Sequence, residues 1–304
     1  MNVLSLFDGM SCGQIALNRA NVKYANYFAS EIDKHAKKVT QHHYPNTKQL
    51  GDVRKIRGGE LPKIDLLIGG SPCQGFSSSG KELNFEDPRS KLFFEFVRLK
   101  DELNPRYFFL ENVKMKKEYQ AIISSYLGVQ AIEVNSSLVS AQNRVRYYWT
   151  NIPGFIMPQG QGILLSDILE TDDYLFPASI RGRKLNKAVI VGRRLNEKGV
   201  RKDADKNIPY TQCLEVRATN RNKSNCLTTV GKDNVLTTLP IGRHPNAFTN
   251  KLPFRYYTTK EKCRLQNVPD DYFDGLVSDN QAQKMLGNGW TINIITEFFK
   301  HLKK

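Results

Sequence analysis

The stretch Ile64-Asp65-Leu66-Leu67-Ile68-Gly69-Gly70-Ser71-Pro72-Cys73-Gln74-Gly75-Phe76 decides the fold. Its first half is a short apolar run that predicts a buried strand. Its second half is a turn of glycine and serine that ends in a proline-cysteine pair. Since proline stiffens the backbone, Cys73 is expected at the carboxyl edge of a sheet, where open α/β folds bind their ligands. A thiol there is a candidate nucleophile, because nearby arginines or turn amides would lower its pKa and favour the reactive thiolate.

Short apolar runs alternate with helical patterns on both sides of this stretch, up to about residue 151. The pattern predicts strands at 3–7, 24–30, 64–68, 107–110 and 146–150, and helices at 14–20, 34–43 and 90–103. Repetition of strand, turn and helix predicts an α/β fold with a doubly wound, Rossmann-like parallel sheet. Residues 1–155 are therefore assigned to the first part of a large domain.

The character of the sequence changes between residues 156 and 254. Glycine, proline, asparagine and basic residues dominate there, which predicts a smaller, irregular and strand-poor insert. Residues 225–230 are echoed by residues 234–239, a pattern typical of a β-hairpin. Helical patterning resumes afterwards, so residues 255–304 are expected to return to the first domain, with a last helix at 292–302.

The net charge of +15 is the strongest compositional signal. A balance of this kind indicates a polyanionic partner, nucleic acid first and an anionic membrane second. The densest basic stretch, at 181–202, carries no apolar stripe, and no apolar run approaches the roughly 20 residues that span a bilayer. The start of the sequence lacks the basic lead and cleavage site of a signal peptide. Nucleic acid is therefore favoured over a membrane.

The cysteines and the histidine pair argue against a metal site. The five cysteines are scattered and never form a C-x-x-C pair, which also argues against a disulfide framework and fits a reducing compartment. Cys226 and Cys263 are expected to be small buried hydrophobes, the usual state of a cysteine. His42 and His43 have no cysteine or carboxylate nearby at metal-ligand spacing and are expected on the surface.

A glycine loop follows the first predicted strand, at residues 7–13. Its glycines let the backbone approach a ligand closely. Glu31 ends the second strand, at the spacing where nucleotide-binding folds hold a ribose hydroxyl. Asp52 is a candidate acceptor for the exocyclic amine of adenine. A lone glycine turn is often only a turn, but the two acids together favour adenosine binding.

Two more chemical groups stand near later strands. Glu111 ends a strongly apolar strand, so burial should raise its pKa and let it donate a proton; the alternative is a structural carboxylate that caps a turn. Arg144 and Arg146 would share one side of a strand. They would hold a phosphate or steady the Glu111 carboxylate, unless the strand is simply basic and exposed.

The ordered set of motifs resembles the cytosine-C5 DNA methyltransferases. The set is Phe7-Asp8-Gly9, Pro72-Cys73-Gln74, Glu111-Asn112-Val113, Gln142-x-Arg144-x-Arg146 and Gly287-Asn288. The surroundings of these motifs look most like the mammalian de novo enzymes. Because the chain lacks the large N-terminal regulatory regions of those enzymes, a compact prokaryotic or phage enzyme is expected.

The resemblance implies methyl transfer from S-adenosylmethionine to C5 of a flipped-out cytosine in double-stranded DNA, which leaves S-adenosylhomocysteine. The implied catalytic residues are Cys73 as the nucleophile with Glu111, Asn112, Arg144 and Arg146. The implied cofactor-binding residues are Phe7, Asp8, Gly9, Met10, Ser11, Cys12, Gly13, Glu31, Ile32, Asp52, Val53, Arg54, Pro72, Leu92, Asn288, Gly289 and Trp290. The implied DNA contacts are Gln74, Ser77, Arg181, Arg183, Arg193, Arg194 and Arg217.

Three other functions stay open at this point. The same chemistry on tRNA would use the same residues, and positive charge does not distinguish the two polymers. A non-catalytic DNA-binding relative would have no need of Cys73, Glu111 and Arg144. A NAD-dependent dehydrogenase is disfavoured because the fingerprint G-x-G-x-x-G is missing. A cytoplasmic enzyme in a prokaryotic or phage-infected cell, with or without a separate restriction endonuclease, is the expected setting.

Overall fold

The computed structural model describes residues 1–71, 91–170, 185–216 and 223–302. In these ranges a seven-stranded sheet has the order β3-β2-β1-β4-β5-β7-β6. Its strands are β1 (Asn2–Leu6), β2 (Asn26–Ser30), β3 (Lys48–Gln49), β4 (Leu66–Gly69), β5 (Tyr107–Val113), β6 (Ile132–Asn135) and β7 (Val145–Thr150). The helices are α1 (Cys12–Arg19), α2 (Lys34–His43), α3 (Lys91–Leu103), α4 (Lys117–Leu127), α5 (Thr259–Gln266), α6 (Asp279–Asn288) and α7 (Ile292–Phe299). The predicted α/β fold is confirmed.

The prediction of a wholly parallel sheet is wrong at one edge. Strands β1 to β5 pair in parallel, but β7 runs antiparallel to both β5 and β6. The connection from β6 to β7 spans only residues 136–144, too few for the crossover helix that parallel neighbours need. A short connection therefore forces the reversal.

Two apolar clusters cover the two faces of this sheet. Neighbouring residues of a strand point to opposite faces, so Val3 joins one cluster and Leu4 the other. Phe109 anchors the first cluster, with its ring 5.2 Å from that of Phe298 in α7. Because both faces are covered, the central strands are continuously apolar, as in residues 66–68. Helix α7 ends at Phe299, three residues earlier than predicted, and packs against α1.

The prediction of a strand-poor insert is wrong. A second, antiparallel sheet has the order β11-β9-β8-β10-β12. Its strands are β8 (Asn186–Arg194), β9 (Tyr210–Val216), β10 (Val235–Thr237), β11 (Gly242–His244) and β12 (Phe254–Tyr256). Residues 188–191 of β8 form a short apolar run, but the basic residues on both sides of it obscured the strand in the sequence.

The predicted hairpin is also wrong. Residues 235–237 form β10, which pairs with β8 and β12 and not with the earlier copy of the echo. The earlier copy lies against the first sheet's domain instead, where the Leu227 amide donates to Gln142 Oε1 at 3.1 Å. The two copies of the similar sequence therefore adopt different structures, because they pack against different parts of the protein.

A buried ion pair connects the second sheet to α5. Arg255 of β12 donates to both oxygens of Glu261, at 2.7 and 2.6 Å. Glu261 is fully buried and also accepts from the backbone amides of Thr258 and Glu170, each at 2.9 Å. Four hydrogen bonds on one carboxylate compensate its loss of water.

None of the described helices has the length and apolar character needed to cross a membrane.

Replacement of Arg255 by alanine should lower the free energy of unfolding by about 3–5 kcal/mol, because it leaves the buried Glu261 carboxylate without its counter-charge. Urea denaturation measures the loss. Lys300→Ala, which removes the exposed pair with Glu297, is the control and should cost less than about 1 kcal/mol. Equal effects of the two changes would contradict the importance of the buried pair.

Candidate active site

Three strands bring the sequence motifs to one edge of the first sheet. Leu6 of β1 lies beside Gly69 of β4, and Gly69 lies beside Leu110 of β5. The residues that follow in each strand therefore meet, because parallel strands end at a common edge. Phe7, Gly70 and Glu111 follow at that edge. The predicted site residues Pro72, Cys73, Gln74, Ser77, Arg181, Arg183 and Arg217 lie outside the described residues.

Glu111 is the buried carboxyl that the sequence predicts. It is 7% exposed, its Oε1 lies 3.0 Å from Arg146 Nε, and the Trp290 indole donates a hydrogen bond to it. Burial raises the pKa of Glu111, while Arg146 and Arg144 oppose the shift. The net result is a carboxyl that holds a proton more readily than an ordinary glutamate does.

Gly70 leads the chain directly past this carboxyl. A Cβ atom at Gly70 would lie 2.8 Å from Trp290 Nε1 and 3.2 Å from Glu111 Oε2, so only glycine fits without a shift. The next residue is fixed by Asn112, whose Nδ2 donates to Ser71 Oγ at 3.1 Å. The segment that precedes the Pro72-Cys73 pair is thus tied to β5 beside Glu111.

The two arginines have different surroundings. Arg146 pairs with Glu111, which is one of the two alternatives that the sequence leaves open. Arg144 is only 2% exposed. Its guanidinium donates to the carbonyls of Leu227, Gly289 and Gly287, at 2.8, 2.7 and 3.1 Å. The Arg144 guanidinium is therefore held by backbone carbonyls, and the phosphate contact that the sequence leaves open would require it to release them.

Cys226 is not the simple buried hydrophobe that was expected. Its Sγ lies 3.4 Å from Arg144 Nη1 and 3.7 Å from Arg146 Nη2, and these cations lower the thiol's pKa against the opposing effect of burial. Cys226 stands 82 positions from Arg144 in the chain, so no local pattern could reveal the contact. Cys263 is fully buried as predicted, and burial raises its pKa to about 12.

Of the two histidines predicted to lie on the surface, only His42 is exposed. The His43 ring instead stacks on the Tyr272 ring, with the two ring centres 3.9 Å apart, and His43 Nε2 lies 2.8 Å from the Tyr272 carbonyl oxygen. Stacking that spans 229 positions of the chain covers one face of the ring. In the described ranges no three His, Cys, Asp or Glu side chains come together as a metal site.

The loop of residues 7–13 has a special backbone. Phe7, Gly9 and Ser11 have φ values of 59°, 59° and 64°, in the left-handed region that residues other than glycine rarely adopt. Glu31 stabilises the loop because its Oε2 accepts from the Gly9 amide at 2.8 Å. Its Oε1 accepts from the amides of Ile32 and Asp33, so this carboxylate fixes both sides of a turn. Ile32 itself is 73% exposed beside it.

The two other acids of the predicted pocket differ sharply. Asp8 is buried, accepts from the Tyr27 hydroxyl at 2.7 Å, and has an Oδ2 atom without a partner among the described residues. Burial raises the pKa of Asp8 to about 6. Asp52 pairs with the Arg54 guanidinium and accepts from its amide at 3.0 Å. Its oxygens are engaged locally, so a role as acceptor for adenine would require Arg54 to move.

The remaining predicted pocket residues fall into three groups by exposure. Met10, Cys12, Gly13, Val53 and Trp290 are buried, Leu92 and Gly289 are half-buried, and Asn288 is exposed. Gly289 is packed tightly, since a Cβ there would lie 3.1 Å from Met10 Cε and 3.3 Å from Cys12 Sγ. The α6–α7 connection therefore lies directly on the 7–13 loop.

Comparison with known proteins assigns the chain to a family. The family model for C-5 cytosine-specific DNA methylases matches residues 1–122. The type II methyltransferase M1.ScrFI of Lactococcus lactis subsp. cremoris is 30% identical over 322 aligned positions, which cover 96% of this chain and 75% of that protein. The chain belongs to the C-5 cytosine-specific DNA methylases.

Other members of this family and its fold show similar likeness. The orphan methyltransferase M.Rho11sI of Bacillus phage rho11s is 33% identical over 222 positions, which cover 65% of this chain but only 43% of the phage protein. The solved structure of the Entamoeba histolytica methyltransferase EhMeth superposes with a TM-score of 0.68 at 17% identity, over 99% of this chain and 97% of that one. The fold is therefore that of methyltransferases.

Asp8 gives the methylase a measurable pH dependence. Its folded pKa lies above the unfolded value, so the stability it contributes is present at low pH and is lost as the pH rises through about 6. Between pH 4 and pH 7 the wild type should lose about 2.4 kcal/mol of unfolding free energy relative to Asp8→Asn. Urea denaturation across this range measures the difference. Asp101→Asn, an exposed carboxyl, is the control, and parallel curves for wild type and Asp8→Asn would refute the shift.

Proposed function

We propose that this protein is an S-adenosylmethionine-dependent DNA (cytosine-5-)-methyltransferase that acts through a covalent Cys73 adduct. The observation that carries the proposal is the Glu111 carboxyl, buried and held by Arg146 and Trp290. It lies beside Gly70, two positions before the Pro72-Cys73 pair. This chemistry needs a proton donor and a thiol, and Glu111 lies beside the backbone segment that leads to Pro72-Cys73 in the sequence.

The 7–13 loop and its neighbours suit the methyl donor. Among the described residues, Asp8 Oδ2 is buried without a partner and a Cβ at Gly9 would meet nothing within 4 Å, while Ile32 is an exposed aliphatic side chain. A ligand with a polar amino acid end and an apolar ring would use all three. When bound, S-adenosylmethionine supplies a methyl group on an electrophilic sulfonium centre. The loop, Glu31 and Ile32 would hold it.

The protein's own residues would make cytosine reactive. C5 of cytosine is a poor nucleophile because the ring is aromatic and electron-poor. Addition of the Cys73 thiolate to C6 removes that aromaticity and makes C5 enamine-like. Glu111 would hydrogen-bond the N3 and N4 edge and give its proton to N3, so that the ring stays neutral as sulfur adds. After C5 takes the methyl group, loss of the C5 proton and expulsion of Cys73 restore the ring.

The substrate proposal rests on access and charge. C6 cannot be reached inside a duplex, so the target base must leave the stack. The net charge of +15 suits the DNA phosphates. The named relatives come from a Bacillus phage and from Lactococcus, which supports a prokaryotic or phage enzyme in the cytoplasm. A separately acting restriction endonuclease is the partner that a type II setting would add.

Cys73→Ser should abolish methyl transfer to DNA, because a hydroxyl does not form the adduct at C6. Transfer of labelled methyl from S-adenosylmethionine to duplex DNA and to tRNA measures activity and separates the two substrates. Binding of S-adenosylhomocysteine by calorimetry should be unchanged in the variant. Cys263→Ala, a small change at a buried cysteine of α5, is the matched cysteine control and should stay active. DNA with 5-fluorocytosine should trap a covalent adduct with the wild type alone. Turnover by the serine variant at the wild-type rate would overturn the nucleophile.

Glu111→Gln should lower kcat about 10²- to 10⁴-fold, because glutamine accepts and donates hydrogen bonds but cannot transfer a proton to N3. Single-turnover methylation of a DNA duplex measures the chemical step. Glu133→Gln, an exposed glutamate on β6 that pairs with Lys114, is the matched control and should leave the rate unchanged. An unaltered rate for Glu111→Gln would remove this residue from the mechanism.

A further inference from the structure

One face of the second sheet points towards the first sheet's domain. Residues paired across neighbouring strands share a face, and Leu236 pairs with Lys187 and Arg255. Leu236 packs on residues of the first domain such as Ala141 and Leu265. We call the side of the sheet that carries Leu236 the inner face.

The inner face continues beyond the apolar contact as a cluster of charges. Alternate residues of β8 and β9 bring Arg193 and Glu215 to this face, and Glu215 pairs with Arg243 of β11. Glu215 Oε1 lies 2.7 Å from Arg193 Nε and 3.2 Å from Arg243 Nε, and Oε2 lies 3.1 Å from Arg193 Nη2. One carboxylate, 8% exposed, therefore holds two guanidinium groups.

The two arginines use their donors differently. Arg193 gives Nε and Nη2 to Glu215, and its Nη1 lies 3.9 Å from Asp203 Oδ2, so acidic groups surround it. Arg243 gives only Nε to Glu215. In the described part of the chain, no acceptor bonds the two terminal nitrogens of Arg243. Its side chain is 33% exposed and stands on the edge strand of the sheet.

An arginine that is held at Nε and directs its two terminal nitrogens outward is suited to one kind of ligand. The two terminal N–H groups form a planar fork that matches two acceptors side by side. In duplex DNA the major-groove edge of guanine presents such a pair, O6 and N7. A phosphate can accept the same fork, but phosphates recur along the whole backbone and a cation of any orientation can reach one, whereas a guanine edge lies at one place in the groove. The Glu215 support therefore favours base reading over a phosphate contact.

We propose that Arg243 reads a guanine in the major groove of the target sequence, with Glu215 as the residue that positions it. The inference rests on the proposed function, because it takes the DNA duplex as the substrate. It assigns to a single side chain one base of the recognition sequence. Glu215 touches no base itself and acts through the orientation of Arg243.

The experiment compares wild type, Arg243→Ala and Glu215→Gln on DNA of randomised sequence. Bound duplexes are sequenced after selection on each protein, and methylated cytosines are mapped by bisulfite sequencing. Wild type should select guanine at a fixed distance from the target cytosine. Arg243→Ala should lose that preference by about 10- to 100-fold at this position alone, the size of one bidentate contact. Glu215→Gln should weaken it at the same position.

Lys198→Ala, which removes one exposed positive charge from the same insert, is the matched control and should leave every position unchanged. Circular dichroism melts verify that each variant is folded. A wild-type guanine preference retained by Arg243→Ala, or an equal loss at all positions, would overturn the assignment. Binding selection decides the matter even if no cytosine is methylated, and that second result would count against the proposed function alone.

Discussion

The buried guanidinium of Arg144 is the constraint on which the active-site edge depends. A charge without water is costly unless hydrogen bonds replace the lost hydration. Arg144 recovers them from the carbonyls of Leu227, Gly287 and Gly289. Those carbonyls belong to two segments far apart in the chain, and both must reach the start of β7 for the cost to be met. Gly287 is packed so closely on the Thr228 backbone, 2.3 Å from a Cβ placed there, that no other residue fits.

Around Arg144, cationic groups alternate with a thiol and a carboxyl group. Arg144 and Arg146 share the Cys226 sulfur, and Arg146 also holds Glu111. The two cations draw the thiol towards thiolate, while burial keeps the Glu111 pKa raised. Groups so close in a dry setting influence one another strongly. The pKa of Glu111 thus depends on residues from separate parts of the sequence, since Arg144, Arg146 and Trp290 all oppose the effect of burial.

The insert shows that net charge alone describes a surface poorly. Several of its arginines are engaged inside the insert: Arg193 with Glu215, Arg201 with Asp203, and Arg194 over the Tyr210 ring at 4.3 Å. The predicted DNA contacts Arg193 and Arg194 are therefore partly occupied, while Arg243, which no sequence pattern singled out, bonds only through Nε within the described ranges. The availability of each cation thus depends on nearby carboxylates, such as Glu215 of β9 and Asp203 of the β8–β9 connection.

The sequence by itself determined what depends on neighbours along the chain. Apolar runs such as 66–68, the helix at 34–43 and the burial of Glu111 at the end of an apolar strand follow from local periodicity, and the order of motifs indicated the family. Only the tertiary structure decided the pairing of β7 with β5, the five-stranded sheet of the insert, the burial of Arg144 and the contact of Cys226 with two arginines. Each of these joins residues distant in sequence, whose cost or gain exists only after the chain has closed on itself.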